Sequence, residues 1–231
     1  MQPDCAPITI LPDSHALAAR VQKDGWLKST MMETGDNLHA AAERIARSLG
    51  NPIPGRAGRM IEPMMPTMKT GANAKSLSVV HGLGSFPMHT DGAHLPQPPR
   101  FVVLVCATPG TAAVPTTLLR FRDLRASEQE RDLLEAAPFL GRNGRRCFYS
   151  TVSSRSRPFI RFDEGCMVPQ GTEAQASAKL IAHRATEVGV TTVYWRSGDV
   201  LIIDNWNVLH GRGLGETQAS PDRKLFRVSV Q

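Results

Sequence analysis

The sequence lacks the features that define several large classes of protein. Its four cysteines form no CxxC pair and no other metal-ligand spacing, which argues against a disulfide scaffold and a structural zinc site. It has no apolar run long enough to cross a bilayer, and it begins with neither a basic segment nor an apolar one. These absences predict a cytoplasmic protein with reduced thiols and no role at a membrane.

Acidic residues are scarce relative to basic ones, with 21 Asp and Glu against 27 Lys and Arg and a formal net charge of +6. The excess is concentrated at 142–146 and 155–157, where glycine and serine neighbours are typical of solvated loops. A basic surface also suits anionic ligands, so a non-enzymatic basic binding module is an alternative. Aromatic residues make up only 6% of the chain and form no platform among the basic ones, so nucleic acid is not the favoured partner.

Length and patterning predict the fold class. A chain of 231 residues fits one all-β or barrel-type domain, and we expect residues 1–231 to form a single domain. Many short β-type segments, with three or four helices between them, predict a mainly β sandwich or barrel with peripheral helices. The run 100–108 is almost continuously apolar, which is typical of a strand buried on both faces.

Several shorter segments carry local predictions. Ser127 and Thr172 each stand three residues before a Glu or Gln, a spacing that predicts a capping box at the start of a helix. Segment 60–69 is rich in Pro and Met and is expected to be irregular. Further strands are predicted at 6–11 and 76–81, and a hairpin of two strands is predicted at 148–152 and 158–162.

The segment Phe86–Gly92 carries the first candidate for a chemical site. Successive side chains of an extended strand alternate faces, so His89 and Asp91 project from the same side. An imidazole and a carboxylate are two of the three ligands in the 2-His-1-carboxylate triad that holds non-heme Fe(II). A His-x-Asp pair also arises by chance on solvated surfaces, so a third ligand from elsewhere in the chain is needed.

The C-terminal region offers that ligand. Residues 198–212 have the pattern of a turn, a buried apolar strand, a polar turn and a second strand that ends at His210. Two arginines, Arg223 and Arg227, follow around the last predicted strand.

Together these motifs resemble one family. The His89-x-Asp91 pair, the segment 198–212 and the Arg223-x-x-x-Arg227 pair are similar to the Fe(II)/2-oxoglutarate-dependent dioxygenases of the taurine dioxygenase (TauD/TfdA) and clavaminate synthase type. The resemblance implies a double-stranded β-helix core, the cupin-like jelly roll of these enzymes. It also implies Fe(II), 2-oxoglutarate and O2 as cofactor and cosubstrates.

Site roles follow from the resemblance. His89, Asp91 and His210 would hold the iron, and Arg223 would bind the distal carboxylate of 2-oxoglutarate through two parallel hydrogen bonds. Arg227 would lie near the substrate; the alternative is that it pairs with a carboxylate inside the barrel.

Other residues complete the implied site. A hydroxyl that helps to hold 2-oxoglutarate is expected from Thr117, with Thr116 left open because a register slip of one residue exchanges the two faces of a strand. His94 and Ser85, like Arg227, would suit a small substrate that carries a carboxylate, such as an amino acid. The methionines of 60–68 would instead suit an apolar substrate.

The implied reaction is oxidative decarboxylation of 2-oxoglutarate to succinate and CO2, coupled to hydroxylation of an unactivated C–H bond. Because Asp91 occupies the third ligand position, no coordination site is left for a halide, and halogenation is disfavoured. Desaturation on the same iron stays open. A metal-binding β-barrel oxygenase without a 2-oxo acid is a further alternative, which would keep the three ligands but would not need Arg223. The sequence does not indicate an oligomeric state.

Overall fold

The computed structural model describes residues 14–31, 37–55, 58–72, 76–214 and 218–231. The strand predicted at 6–11 lies outside these ranges. The helices are α1 (Ser14–Asp24), α2 (Asn37–Leu49), α3 (Ser78–His81), α4 (Glu128–Ala136) and α5 (Gly171–Val188). The strands are β1 (Trp26–Thr30), β2 (Pro52–Ile53), β3 (Glu62–Met64), β4 (Phe86–His89), β5 (Phe101–Thr108), β6 (Thr116–Arg120), β7 (Phe139–Asn143), β8 (Arg146–Ser150), β9 (Met167–Pro169), β10 (Thr191–Val193), β11 (Asp199–Asp204), β12 (Val208–Arg212) and β13 (Lys224–Val230).

Two antiparallel sheets enclose the central core. The larger sheet has the order β1-β11-β5-β13-β2, with β3 also paired to β13, and the smaller has the order β10-β6-β12-β4. Apolar side chains from both sheets form one buried cluster, including Leu104, Leu201 and Leu225 from the larger sheet and Leu118 and Val208 from the smaller. This arrangement is the predicted jelly-roll core.

Helices cover the outer faces of both sheets. Leu17 of α1 and Leu38 of α2 pack with Val103 and Val105 of β5 against the larger sheet. Ile181 of α5 joins Leu119 and Leu209 in a third cluster on the outer face of the smaller sheet. Strand β5 therefore contributes to a core on each of its faces, which confirms the prediction from its apolar run.

Two strand predictions are wrong. Segment 76–81 contains the helical turn α3. Gly82 follows this turn with φ of 54°, and its N–H donates to Ser78 O at 2.8 Å. The predicted hairpin of 148–152 and 158–162 is replaced by pairing of β7 with β8, across a two-residue loop that contains Gly144 at φ 63°. A glycine at positive φ fits that tight connection, so the turn determines the register.

The segment predicted as the second hairpin strand forms no strand, although Arg161 keeps one backbone bond to Val152, at the end of the predicted first strand. The N–H groups of Ile160 and Arg161 donate to Trp206 O and Val152 O at 3.0 and 2.8 Å. Segment 158–162 therefore forms an extended connection that leads to the metal-ligand region.

The remaining local predictions have mixed outcomes. The capping box at Ser127 is confirmed, because the Ser127 side chain accepts from Glu130 N–H and the Glu130 side chain accepts from Ser127 N–H. The one at Thr172 is wrong, since α5 starts after Gln170 without a side-chain cap. Segment 60–69 contains β3 rather than being wholly irregular.

The described helices include none that combines the length and the apolar character needed to span a membrane.

We expect the core between the sheets to dominate stability. Leu201 is fully buried there, so Leu201→Ala should lower the free energy of unfolding by about 2–5 kcal/mol through lost burial and the cavity left behind. The same substitution at Leu214, which is 44% exposed, should change it by less than about 0.5 kcal/mol. Urea unfolding of both variants measures the difference, and equal losses would contradict this placement of the core.

Candidate metal centre

Strand pairing brings the two histidines together. β12 lies between β6 and β4 in the smaller sheet, and His210 is directly opposite His89. Because opposed residues of antiparallel strands share a face, the two imidazoles project to the same side, with ring centroids 4.5 Å apart. Two residues 121 positions apart in sequence are thus adjacent at the edge of the core.

Asp91 reaches the same point from the turn after β4. Thr90, between the two ligands, faces away: it is fully buried, and its N–H donates to Phe162 O at 2.7 Å. The carboxylate Oδ1 of Asp91 lies 3.9 Å from His210 Nε2. One ligand atom from each of His89, Asp91 and His210 can be chosen so that all three lie within 4.8 Å of one another. The predicted ligand set is therefore assembled in space.

The main chain of Asp91 is held by Asn205, which is fully buried in the turn between β11 and β12. Asn205 Oδ1 accepts from Asp91 N–H at 2.8 Å, and its Nδ2 donates to Asp91 O and Pro99 O, each at 2.9 Å. A single side chain thus satisfies both polar groups of the Asp91 backbone and fixes the turn that presents the carboxylate.

The carboxylate of Asp91 is held by Arg227. Arg227 Nη1 donates to both oxygens of Asp91, at 2.9 and 3.0 Å, and its Nε and Nη2 donate to Glu62 Oε2 at 3.1 and 2.7 Å. Burial would raise the pKa of Asp91, but Arg227, with smaller contributions from His210 and His89, lowers it to about 2. Asp91 is therefore ionised. The recorded partners of Arg227 are two carboxylates, as in the alternative interpretation from the sequence.

The residues fit a divalent metal. Burial, with a further contribution from the neighbouring His89, lowers the pKa of His210 to about 3, so its ring is neutral and keeps a lone pair. His89 Nδ1 lies 2.9 Å from Pro87 O, which suits donation from Nδ1 and leaves Nε2 to a metal. His210 Nδ1 is buried without a hydrogen-bond partner among the described atoms, so hydrogen bonding does not occupy both nitrogens of that ring. Two imidazoles and a carboxylate form the donor set of a non-heme iron site.

A cavity of about 340 Å³ opens onto this centre. His89 and Asp91 form part of its wall. The described lining also includes Arg59, Glu62, Pro63, Met64, Ser76, Leu77, Ser78, Phe86, Asp163 and Arg227. It includes neither Ser85 nor His94, so two of the residues predicted to bind substrate lie off the described wall. Positively charged, negatively charged and apolar side chains all line this cavity.

The second predicted arginine is buried inside the barrel. Arg223 is 3% exposed, and its Nη1 donates to Val114 O at 3.0 Å. Within the described ranges Arg223 forms no ion pair with an acidic side chain. Burial lowers the pKa of Arg223 to about 10. A buried guanidinium without a carboxylate is costly, and such a position suits an anionic ligand.

Strand register separates the two candidate threonines. Thr116 is opposite Arg212 on β12, and so shares a face with His210 and the interior of the barrel. Its hydroxyl accepts from Trp195 Nε1 at 3.0 Å. Thr117 is opposite Gly211 and faces the other way, with its hydroxyl 3.5 Å from Met88 Sδ. The register therefore favours Thr116 over the expected Thr117.

Comparison with known proteins agrees with this geometry. The sequence profile of the taurine catabolism dioxygenase TauD, TfdA family matches residues 114–229, half of the chain. The chain belongs to the TauD/TfdA family. Family membership identifies it as an iron- and 2-oxoglutarate-dependent oxygenase, as the resemblance implied. The match contains His210, Arg223 and Arg227, while His89 and Asp91 precede it.

Solved structures share the fold of this TauD/TfdA member. An asparagine oxygenase in complex with Fe(II), hydroxyasparagine and succinate gives a TM-score of 0.73 at 18% identity, over 94% of this chain and 77% of that one. The oxygenase OrfP in complex with Fe and alpha-ketoglutaric acid gives a TM-score of 0.69 at 20% identity, over 94% of this chain and 78% of that one. PvcB from Pseudomonas aeruginosa gives a TM-score of 0.67 at 20% identity, over 100% of this chain and 83% of that one. A search of curated protein sequences finds no match.

Sequence reasoning did not find Glu62, Asn205 or Asp163. Glu62 lies in the segment expected to be irregular, and Asp163 follows a segment expected to be a hairpin strand. Asn205 was visible only as part of the polar turn before β12. Glu62 and Asn205 act through contacts that are distant in sequence, and Asp163 reaches the cavity wall only through the fold, so local motifs could not reveal them.

The buried neutral histidine makes the metal-free protein sensitive to acid. Because the folded pKa of His210, about 3, lies below its ordinary value of 6.5, the unfolded chain binds more protons at this residue between these values. The free energy of unfolding should therefore decrease as pH is lowered from 6.5 toward 3, by up to about 1.4 kcal/mol per pH unit from this residue. Urea unfolding at pH 7.0, 6.0 and 5.0 should show a shallower slope in His210→Gln than in wild type, and identical slopes would contradict the assignment.

Proposed function

We propose that this protein uses Fe(II), held by His89, Asp91 and His210, and 2-oxoglutarate to hydroxylate an unactivated C–H bond of a small molecule. The observation that carries the proposal is the convergence of these three ligands beside a cavity of about 340 Å³. Family membership supports the cofactors. We also take residues 1–231 as one oxygenase domain, which the shared larger sheet supports because it includes both β1 and β13.

The binding site for 2-oxoglutarate is proposed at Arg223 and Thr116. Arg223 is a buried cation whose recorded contact is a single carbonyl, so a distal carboxylate would supply the missing counter-charge. Thr116 shares the interior face with His210, and it lies two residues after Val114, whose carbonyl accepts from Arg223. Burial lowers the pKa of Arg212 to about 10, and the positive charge of the nearby Arg223 adds to this effect. The two guanidinium groups make the region strongly cationic.

Each residue has a distinct task in this proposal. When bound, iron supplies the oxidative chemistry that couples 2-oxoglutarate decarboxylation to substrate hydroxylation. The imidazoles of His89 and His210 and the carboxylate of Asp91 would hold the iron and would leave room for the cosubstrate and O2. Asn205 fixes the Asp91 turn, Arg223 orients the cosubstrate, and the enclosing sheets exclude water.

The substrate class is proposed as a carboxylate-bearing or amino-acid-like molecule. Structures with the same fold hold hydroxyasparagine and (3S)-hydroxy-L-Arg. The cavity here carries Arg59, whose guanidinium suits a carboxylate, and Asp163, whose carboxylate suits an ammonium group. Asp163 is rigidly placed, because Phe162 before it is hydrogen-bonded to Thr90, between two metal ligands. Of the methionines of 60–68, Met64 lines the cavity, whereas the exposed Met65 and Met68 lie outside the described wall. The charged groups on that wall favour this class over a wholly apolar substrate.

Anaerobic absorbance tests the cofactor assignment. Adding Fe(II) and then 2-oxoglutarate to wild type should produce a visible metal-to-ligand charge-transfer band. Asp91→Ala should lose the band by losing iron, and Arg223→Ala should require at least about tenfold more 2-oxoglutarate, because a buried charge-assisted pair is removed.

The matched control is Arg155→Ala, an arginine whose side chain is 85% exposed in a basic loop; it should behave as wild type. A wild type that binds iron without the band would instead support a metal-dependent oxygenase that does not use a 2-oxo acid.

Free amino acids test the substrate class. Any that increases succinate formation by wild type should have its KM raised about tenfold in Asp163→Asn, with a smaller effect on kcat, because the lost partner binds the ammonium group rather than the reacting carbon. Glu164→Gln, which neutralises the next acid along the chain without altering the described cavity wall, should leave KM unchanged. Equal KM values in wild type and Asp163→Asn would remove Asp163 from substrate recognition.

A further inference from the structure

Glu62 is linked to the proposed metal ligand Asp91 through Arg227, which bonds to both carboxylates. It sits on β3, where the register with β13 places it directly opposite Arg227. Its side chain is 11% exposed, that of Arg227 17% and that of Asp91 13%, so the three charges are held largely out of water. Arg227 lies between the two carboxylates and bonds to both.

The geometry divides the guanidinium into two ends. Nε and Nη2 converge on a single oxygen of Glu62, and Nη1 is left to span both oxygens of Asp91. A guanidinium is planar and rigid, so fixing one end fixes the direction of the other. The position of Glu62 therefore determines where Arg227 holds the carboxylate that is needed as a metal ligand.

Charge gives Glu62 a second effect. An arginine beside a metal ligand would repel a divalent cation, and a carboxylate on its far side offsets that charge. Asp91, Arg227 and Glu62 together carry one net negative charge, which is the charge that Asp91 alone would bring to the metal. Arg227 can thus orient the ligand without weakening the attraction of the site for a cation.

The surrounding backbone is shaped for this carboxylate. Gly55 lies so close to Glu62 that a Cβ at position 55 would overlap the carboxyl group. A glycine at this position leaves the space that the Glu62 carboxylate occupies.

We infer that Glu62 is a positioning residue of the metal centre, which acts through Arg227 to orient the Asp91 carboxylate and to neutralise the guanidinium beside it. The inference rests on the proposed metal site. It gives Arg227, which also lines the cavity, a role in supporting the Asp91 ligand.

Metal affinity, measured without cosubstrate or turnover, tests the inference. Mn(II) or Co(II) is titrated into metal-free wild type, Glu62→Gln and Glu130→Gln. Residues that orient metal ligands typically change affinity by roughly 10- to 100-fold, so Glu62→Gln should raise Kd by that factor. Glu130→Gln is the matched control, since it breaks a glutamate–arginine pair of the same 2.7 Å length between α4 and α5, and its Kd should stay within about twofold of wild type.

Gly55→Ala provides a second test that leaves every charge in place. By displacing the Glu62 carboxylate it should also weaken metal binding, and it keeps the inference testable if Glu62→Gln does not fold. If Glu62→Gln binds the metal with the Kd of wild type, the role of Glu62 is overturned while the metal site stands. If Glu62→Gln is insoluble, a wild-type Kd in Gly55→Ala has the same meaning. A wild type that binds neither ion would overturn the proposed function and this inference together.

Discussion

The pairing of β12 with β4 is the constraint on which the site depends. It sets His210 opposite His89 and leaves Asp91 in the first turn beyond the strand end. Gly211 allows this approach, since a Cβ there would lie 2.7 Å from Phe86 O. The two histidines are consequently held by the sheet, and Asp91 by the side chains of Asn205 and Arg227, which suits a centre that needs three ligands on one face.

Two buried arginines illustrate how the chain distributes charge around that centre. Arg227 is paired with Asp91 and Glu62, and these carboxylates raise its pKa against the effect of burial. Arg223, four residues earlier, has a carbonyl as its recorded partner, and burial lowers its pKa. The paired arginine is suited to a permanent structural task and the other to a ligand that brings its own negative charge. This contrast separates the metal-supporting side of the site from the cosubstrate side.

The metal ligands could be predicted from sequence because the family resemblance rests on local patterns: His89 and Asp91 form one motif, and His210 follows a polar turn and a short apolar run. The threonine choice could not, since it depends on a register that only strand pairing fixes. Glu62 was hidden because a three-residue strand has too little periodicity to detect, and its role depends on a partner 165 residues away. At 76–81 the β-branched residues suggested a strand, but the turn at Gly82 closes a short helix instead.

The central claim is that iron and 2-oxoglutarate react at this site, and product analysis tests it most directly. Purified protein is incubated with Fe(II), 2-oxoglutarate and O2, and succinate is quantified by mass spectrometry beside His210→Ala. The account predicts iron-dependent succinate in wild type, slow without substrate, and none above background in the variant. Iron binding at His89, Asp91 and His210 without any succinate, with or without candidate substrates, would contradict it.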